Sequence, residues 1–444
     1  MKHILCKHLQ RLLALPVLLF LVGWQPAAGD DRWVTVENGG LWKDDSGREV
    51  QAHGAGFLQV GDTWYMIGED RSRPWSPDVN MYSSEDLVHW KFERKIIENG
   101  VTHPELGHGR MIERPKLLYC ARTGKYVVWC HWESSDYSAS EAAVFWCDSV
   151  NGPYKYHWSG RPLGIKSRDC NVFTDDDGTA YFISTIDENR HLGLFRLSDD
   201  YLSAVECTPL FKWQSREAPA IVKVDGIYYM LSSACTGWDP NPCKLSWSRS
   251  LTEGWSELTV LGNGIAFDTQ AASVLTVKGS AGVTRLYVGD RWQDPGLRES
   301  KTIVFPIAFA DGHCAFDYRR RFDLNVGKGL WREPAPEAGL LRGRRWKQTE
   351  RTAGQLTIDL GRRRKVGGFL VVPQAGAGLH DIMRRYELLV SDDGEHWTTA
   401  AGGEWLPYHA AVGFAPVRAR YLRLVSPEGK MAALERLELF RDKD

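Results

Sequence analysis

One short pattern of residues recurs five times in this chain of 444 residues and constrains its fold more than any other feature. The clearest copy spans residues 215–233: an apolar strand begins at Glu217, a tight turn follows at Asp225 and Gly226, and a second strand is rich in β-branched and aromatic residues. An Asp-Gly pair between two apolar runs is a strong signal for a β-hairpin. Each copy opens on a polar residue about nine positions before its turn, and we call these residues the strand heads: His53, Glu113, Asp169, Glu217 and Gln270.

The spacing of the copies predicts the architecture. They lie roughly 50–60 residues apart, which is enough for a four-stranded antiparallel sheet with its loops, and a third strand is recognisable in most copies. Sheets of this size repeated around an axis form a β-propeller. We therefore predict an all-β protein in which residues 30–328 form a five-bladed β-propeller. Because the first strand of each blade lines the central channel, the strand heads should meet at one mouth of that channel.

A simpler interpretation exists for each strand head on its own. A single glutamate before an Ala-Pro pair, as at Glu217, is usually a solvated loop residue. Five polar residues at the same place in five repeats are harder to explain in this way. A carboxylate buried at the start of an apolar strand costs several kcal/mol unless it is paired or used. The pattern therefore favours a functional site.

The N-terminal residues suggest export from the cytoplasm. Residues 1–29 combine a basic head, an apolar run and a final group of small residues, which is typical of a secretory signal peptide. We expect a secreted or periplasmic protein. No other run is long and apolar enough to cross a bilayer, so no membrane partner is expected.

Composition narrows the class of ligand. The chain has 55 basic and 56 acidic residues, a balance that argues against a nucleic-acid partner. It also has 19 tryptophans and 16 tyrosines, whose rings stack on the apolar C–H faces of sugars, although many of them should fill the wedges between blades. The composition favours a polysaccharide or oligosaccharide partner, and we expect a monomer.

The cysteines allow disulfides but do not suggest a metal site. Eight remain after Cys6 is removed with the signal peptide, and Cys235 and Cys243, which flank one loop, are the best local candidates for a disulfide. No spacing resembles a zinc site. We expect no metal and no cofactor, and the sequence gives no indication of a structural calcium ion.

The C-terminal part of the chain has a different pattern. After a Pro-rich linker at residues 329–339, apolar and polar residues alternate over residues 340–444, which predicts a β-sandwich. The segments at residues 391–397 and 419–424 resemble the jelly-roll discoidin-like domains of the coagulation factor 5/8 type C class. The opening of the domain is shortened, so its sugar-binding and calcium loops are not assigned. The basic runs at residues 342–347 and 362–365 either contact acidic polysaccharide or form a solvated surface.

The propeller region resembles a known family of enzymes. Residues 35–325 look like glycoside hydrolase family 43, with the closest likeness to its exo-β-1,3-galactanase branch. The likeness is carried by short motifs around His53, Glu113, Asp169, Glu217 and Gln270, by Gly68-Glu69, and by the loop of residues 236–242. Most of family 43 uses aspartates on the first and second blades, whereas this chain has His53 and Glu113 there. The galactanase branch likewise lacks the first aspartate.

The residues suggest how such an enzyme would work. Glycoside hydrolysis needs a proton donor for the leaving oxygen and a group that aims water or attacks the anomeric carbon. Glu217 fits the donor, because partial burial raises the pKa of a carboxyl group, and the negative charge of Glu113 would hold it protonated. The resemblance implies that Gln270 positions the attacking water, as an amide or as its imidic tautomer, with inversion at the anomeric carbon. An inverting arrangement predicts a separation of about 6.5–9.5 Å between Gln270 and Glu217. Glu113 or another carboxylate remains an alternative base.

The resemblance also implies a set of residues around the sugar. Glu69, Tyr137, Asp169, Thr236 and Asp239 match positions that line the galactose subsite, and a neutral His53 would orient sugar or water. For Tyr137, Thr236 and Asp239 the alternative is hydrogen bonding within their own loops.

Three functions remain open from the sequence. The chain is a secreted exo-acting glycosidase that releases galactose from β-1,3-galactan with inversion, an enzyme with another family 43 activity such as arabinofuranosidase or xylosidase, or a non-catalytic propeller that binds glycans. The pair of acids Glu113 and Glu217 favours an enzyme, because binding alone does not require two carboxylates at one channel mouth.

Overall fold

The computed structural model describes residues 31–73, 77–98, 110–335, 339–341, 347–373, 383–404, 412–429 and 434–441. The predicted signal peptide and residues 342–346 of the first basic run lie outside these ranges. Within them nearly all regular structure is β, and the helical elements are two single turns of 3₁₀ helix, Pro162–Gly164 and Leu297–Glu299. The all-β prediction is confirmed. In the described part of the chain, no helix has the length and apolar character needed to cross a bilayer.

Five antiparallel sheets follow one another along the first part of the chain, after an initial strand β1 (Val34–Glu37). The first two sheets contain β2 (His53–Val60), β3 (Thr63–Asp70), β4 (Asp78–Ser84), β5 (Lys91–Ile97), and β6 (Arg110–Cys120), β7 (Lys125–Ser134), β8 (Glu141–Cys147), β9 (Lys155–Gly160). The third and fourth contain β10 (Ser167–Thr174), β11 (Ala180–Ile186), β12 (His191–Leu197), β13 (Ala204–Leu210), and β14 (Arg216–Val224), β15 (Ile227–Ala234), β16 (Cys243–Ser248), β17 (Thr259–Leu261). The fifth contains β18 (Gln270–Lys278), β19 (Val283–Arg291) and β20 (Lys301–Pro306).

The first strands of the five sheets form a closed ring. Strands β2, β6, β10, β14 and β18 each contact the next, and β18 contacts β2. Polar side chains join neighbouring sheets across the central channel: Lys116 donates hydrogen bonds to the carbonyl oxygens of Gly54 and Ala55, and Ser273 donates to the same oxygen of Ala55. The ring therefore brings the starts of the five strands to one place.

A β-bulge recurs near the start of each first strand. The pairing register with the second strand shifts at or shortly after each strand head, for example between His53 and Gly56 and between Glu217 and Ala220. A bulge bends its strand and re-aims a side chain. Gly54, directly after His53, has φ of 59°, and a Cβ there would lie 2.5 Å from Oε1 of Glu69. A glycine is therefore required at that position.

Aromatic side chains fill the wedges between sheets. Trp129 of β7 packs on Phe182 of β11 at a centroid distance of 4.8 Å, and both are fully buried in one apolar cluster. Wide, flat side chains at such contacts remove a large apolar area from water. Much of the high tryptophan content is thus explained by packing.

Shorter strands complete the first region. A hairpin of β21 (Ala308–Ala310) and β22 (His313–Ala315) follows the fifth sheet, and β23 (Arg321–Asn325) pairs with both β1 and β24 (Leu330–Arg332). The eight described cysteines are all free thiols. The predicted disulfide between Cys235 and Cys243 is therefore wrong: Cys243 is buried in the apolar core, whereas Cys235 is exposed and faces a cavity described below.

The C-terminal region is a separate β-sandwich with its own core. Its strands are β25 (Lys347–Arg351), β26 (Gln355–Pro373), β27 (Arg385–Ser391), β28 (Thr398–Glu404), β29 (Val412–Val425) and β30 (Leu434–Phe440). The long strands β26 and β29 pair over three stretches separated by two register shifts, which lets them bend around a core that includes Phe369, Leu388 and Leu422. The alternation of apolar and polar residues predicted this region correctly.

Candidate active site

A cavity of about 380 Å³ opens where the strand heads converge. Six of the predicted site residues line it: Glu69, Glu113, Tyr137, Asp169, Glu217 and Gln270. The sequence did not single out several other lining residues, among them Arg71, Arg114, His131, Asn189 and Trp292. The wall is therefore a mixture of carboxylates, cations and indole rings, which suits a ligand that is rich in hydroxyl groups.

Three predicted residues lie outside this wall. His53 is only 2% exposed and lies beside Trp292, and burial lowers the pKa of its imidazole to about 3, so the ring is neutral. The hydroxyl of Thr236 donates to the carbonyl oxygen of Asp239 at 2.6 Å and accepts from Asn241 at 2.7 Å. The side chain of Asp239 pairs with Arg384 of the sandwich. For Thr236 and Asp239 the structure thus has contacts that occupy these side chains without a sugar.

Glu217 is the second residue of β14 and lies in an environment that disfavours its ionised form. Burial and, after it, the negative charge of Asp169 raise the pKa of Glu217 to about 8, although Arg114 partly opposes this. The side-chain amide of Gln270 donates to Oε1 of Glu217 at 3.0 Å. At neutral pH Glu217 is therefore protonated, and its Oε1 accepts the hydrogen bond from Gln270.

Glu113 occupies the equivalent place at the start of the second sheet, yet its surroundings are cationic. Arg71 donates to its carboxylate at 3.0 Å and the hydroxyl of Tyr137 donates at 2.9 Å, while Nδ1 of His131 lies 3.1 Å away. Burial alone would raise the pKa of Glu113, but the hydrogen bond from His131 and the charge of Arg71 outweigh burial and hold the pKa well below its usual range. Glu113 is therefore ionised.

His131 carries the matching positive charge. Burial opposes ionisation of its ring, but hydrogen bonds to Glu113 and Glu133 raise its pKa to about 9. The prediction that the charge of Glu113 keeps Glu217 protonated is thus wrong in its cause. Glu113 is neutralised by Arg71 and His131, and Asp169 is the carboxylate that raises the pKa of Glu217.

Arg114 contacts several of the polar residues that line the cavity. Its guanidinium pairs with Asp169 at 2.8 Å, donates to the carbonyl oxygen of Ala271 at 3.0 Å and contacts Oε1 of Gln270. Its backbone N–H donates to Glu69 at 2.7 Å, and burial raises the pKa of that carboxyl group to about 7. The signal for Arg114 was present in the sequence as a charged residue inside an apolar strand, directly after a strand head.

Gln270 is fixed by four polar contacts. Its Oε1 accepts from the indole of Trp292 at 2.8 Å and from Arg114, and its Nε2 donates to Glu217 and to the hydroxyl of Ser233, each at 3.0 Å. Two donors on Oε1 favour the amide form, because the hydroxyl of an imidic tautomer would find no acceptor there. The predicted separation of about 6.5–9.5 Å from Glu217 is wrong: the two side chains are in direct hydrogen bond, at 3.0 Å.

The cavity also contains a group of potential metal ligands. One atom each of Glu113, His131 and Asp169 lies within 4.8 Å of the others. Each of these groups already has a charged partner, since Arg71 pairs with Glu113 and Arg114 pairs with Asp169. The donor set is therefore a poor fit for a cation, and the expectation of a metal-free site stays a prediction.

A cavity with a protonated carboxyl group close to ionised carboxylates is the kind of site that glycoside hydrolases use. Comparison with known proteins agrees. Residues 52–292 match the family described as Glycosyl hydrolases family 43, and residues 328–439 match the F5/8 type C domain. The chain therefore belongs to glycosyl hydrolases family 43, a family of glycosidases, and it carries a discoidin-like domain.

Solved structures of high similarity come from the same family. An exo-β-1,3-galactanase from Clostridium thermocellum is 36% identical, with 73% of each chain covered and a TM-score of 0.66. An exo-β-1,3-galactanase from Phanerochaete chrysosporium, solved with β-1,3-galactotriose, is 26% identical, with 91% of this chain and 100% of that chain covered and a TM-score of 0.71.

One relative in sequence is an enzyme with a different activity. A xylan 1,3-β-xylosidase from Vibrio sp is 24% identical over 139 residues, which is 29% of this chain. The chain matches 24% of the length of that relative.

Proposed function

We propose that this protein is an exo-acting galactanase that removes galactose from the end of β-1,3-galactan, such as the backbone of arabinogalactan. The observation that carries the proposal is the pairing of a protonated Glu217 with an amide, Gln270, at the fifth strand head. The first strand head, His53, is a buried neutral imidazole, so no carboxylate is present there. Two structural neighbours with 26–36% identity carry the name exo-β-1,3-galactanase, which supports the choice of substrate.

In this proposal Glu217 is the general acid. Its Oε1 accepts from Gln270, and its proton is donated to the leaving glycosidic oxygen. Glu69, Asp169 and Tyr137 bind hydroxyl groups of the sugar, and the indole rings of Trp238 and Trp292, which pack 5.0 Å apart, form an apolar wall.

Gln270 positions the attacking water in the proposal, with inversion at the anomeric carbon, and the side chain of Gln270 must then separate from Glu217, because inversion needs room for a water molecule. Its Nε2 is hydrogen-bonded to Glu217 and Ser233. When the sugar enters, Nε2 of Gln270 must therefore give up its hydrogen bond to Glu217 or Ser233 in order to bind the water. Ionised Glu113 is the alternative partner for the water, because its carboxylate lines the same cavity.

The proposal includes the architecture and location of the enzyme. The closed ring of five first strands supports a five-bladed propeller as the catalytic domain. We also infer from residues 1–29 that the protein is exported. Protein recovered outside the cytoplasm with an N-terminus near residue 30 is expected, and a full-length chain retained in the cytoplasm would contradict export.

A second candidate is β-1,3-xylosidase activity, which the match to the Vibrio enzyme favours over a short stretch. Purified protein is incubated with β-1,3-galactooligosaccharides, β-1,3-xylooligosaccharides and aryl α-arabinofuranoside, with Glu217→Gln as the matched control. We expect galactose to be released from the β-1,3-galactooligosaccharides alone. NMR should show that the anomer of galactose formed first is opposite to that of the substrate. Release of xylose or arabinose instead would replace the galactanase proposal, and binding of all glycans without release would indicate a non-catalytic propeller.

A further inference from the structure

Trp213 is the most exposed large apolar side chain in the described residues, at 71%. It lies in the short connection between β13 and β14, and its backbone has φ of 62°. That conformation is uncommon for a bulky residue and costs free energy, so its surroundings must hold it in place. An exposed indole in a constrained backbone is a feature that packing does not explain.

Neighbouring side chains hold Trp213 in place. Its backbone N–H donates to Nδ1 of His191 at 3.0 Å, and its ring meets the His191 ring edge-on at a centroid distance of 4.9 Å. The guanidinium of Arg190 lies 5.6 Å from the centroid of the indole, within the range of a cation–π contact. Asp187 in turn lies 3.3 Å from the other ring nitrogen of His191. Several side chains thus fix one orientation of an indole that remains largely open to solvent.

The turn that contacts Trp213 also reaches the rim of the active-site cavity. Asn189, from the same turn as Arg190, lines the cavity, and its side-chain carbonyl oxygen is buried with no hydrogen-bond partner among the described residues. The backbone N–H of Ser215 contacts the carbonyl oxygen of Arg190 at 3.4 Å. Trp213 precedes Glu217 by four residues, so their Cα atoms are at most about 14 Å apart. The indole is therefore within reach of a short oligosaccharide that leaves the cavity.

We infer that Trp213 is the platform of an outer subsite that binds a galactosyl unit of the leaving part of the chain. This inference rests on the proposed function. The general acid protonates the leaving oxygen, so the rest of the polymer must pass Glu217, and Trp213 lies on the segment that leads to Glu217. The axial 4-hydroxyl of galactose leaves several C–H groups on one face of the ring, and this face suits stacking on an indole. Asn189 would accept a hydrogen bond from a sugar hydroxyl between the two positions.

The test is the dependence of kcat/KM on chain length. Wild type, Trp213→Ala and Trp213→Phe are compared on β-1,3-galactooligosaccharides from the disaccharide to the hexasaccharide. Wild type should gain in kcat/KM as the chain lengthens, Trp213→Ala should lose roughly 3- to 10-fold of that gain through a higher KM, and Trp213→Phe should restore most of it. The control Trp331→Ala removes another exposed tryptophan, on β24, and should keep the gain.

The outcomes separate the two proposals. If wild type releases no galactose from any of these substrates, the galactanase proposal fails and the subsite fails with it. If wild type shows the gain and Trp213→Ala shows it equally, the subsite alone is overturned. An equal loss at every length, including the disaccharide, would place Trp213 in the support of the cavity and would also overturn an outer subsite.

Discussion

Glu113 and Glu217 occupy the same place in two sheets of one ring, but the neighbouring charges shift their pKa values in opposite directions. Each lies near the start of the first strand of its sheet, precedes a bulge and lines the same cavity. Glu113 lies among Arg71, His131 and the hydroxyl of Tyr137, and its pKa is held well below its usual range. Glu217 is raised to a pKa of about 8 by burial and then by the charge of Asp169.

The difference shows what the repeat determines and what it does not. The repeat fixes where each carboxyl group is, because it fixes the start of the strand and the bulge. The protonation state depends on the side chains that the neighbouring strands add. A proton donor at neutral pH needs a raised pKa, and a carboxylate that binds cations or hydroxyl groups needs a lowered one. One cavity thereby holds both kinds of acid.

The largest expected effect follows from removing the proton of Glu217. In Glu217→Gln, kcat on β-1,3-galactooligosaccharides should fall by about 10²–10⁴-fold, because the amide cannot act as the general acid. KM should change little. The control Glu206→Gln alters an exposed glutamate on β13 and should leave kcat at the wild-type level. Wild-type turnover in Glu217→Gln would assign the proton to another group.

The same substitution should not destabilise the fold. The folded-state pKa of Glu217 is raised from 4.5 to about 8, so its contribution to the free energy of unfolding falls as the pH rises through that window. Glu217→Gln does not titrate and should be at least as stable as wild type at pH 8, measured by urea denaturation.

Glu113→Gln should have the opposite effect on stability. Removing Glu113 takes away the carboxylate that Arg71 and His131 share, although Glu69 and Glu133 still contact them, and loss of one partner of a buried ion pair costs about 3–5 kcal/mol of unfolding free energy at pH 7. Because the folded-state pKa of Glu113 is lowered, its contribution is present above 4.5, the ordinary pKa of a glutamate, and is lost as the pH falls below it. Urea denaturation at pH 7 and pH 4 measures the difference, and equal stability of variant and wild type at pH 7 would refute the ionised network.

Gln270→Ala removes the neutral partner of Glu217. We expect kcat to fall by about 10²-fold, as for the loss of one oriented hydrogen-bonding group, with a smaller change in KM. His53→Ala should cost less turnover, because His53 is buried behind Trp292 and does not line the cavity. A nearly inactive His53→Ala beside a nearly normal Gln270→Ala would move the water-activating role to the first sheet.

The smallest effect is a shift in pH dependence. Activity requires protonated Glu217, so kcat/KM should decline as the pH rises through about 8. Asp169→Asn removes the charge that helps to raise this pKa and takes the ion-pair partner from Arg114, whose charge lowers it. The decline should therefore begin at lower pH in Asp169→Asn. A decline at the same pH in both proteins would mean that burial alone sets the pKa.

The sequence predicted the places of the acids better than their chemistry. Spacing and alternation were enough to predict the strands and the convergence of four lining residues, Glu113, Asp169, Glu217 and Gln270, because these follow from the period of the repeat. Arg71 and His131 were missed because they lie on or after second strands, where only the paired register brings them to Glu113. The contact between Gln270 and Glu217 depends on side-chain orientation across two sheets, which no spacing encodes.

The most direct test is to titrate the two carboxyl groups themselves. The protein is labelled with ¹³C at the glutamate carboxyl carbon, and the resonances are assigned by their loss in Glu217→Gln and Glu113→Gln. The Glu217 resonance should titrate with a pKa of about 8, and the Glu113 resonance should show no transition above pH 4.5. Both resonances titrating near 4.5, the ordinary pKa of a glutamate, would contradict the account that neighbouring charges give equivalent acids opposite protonation states.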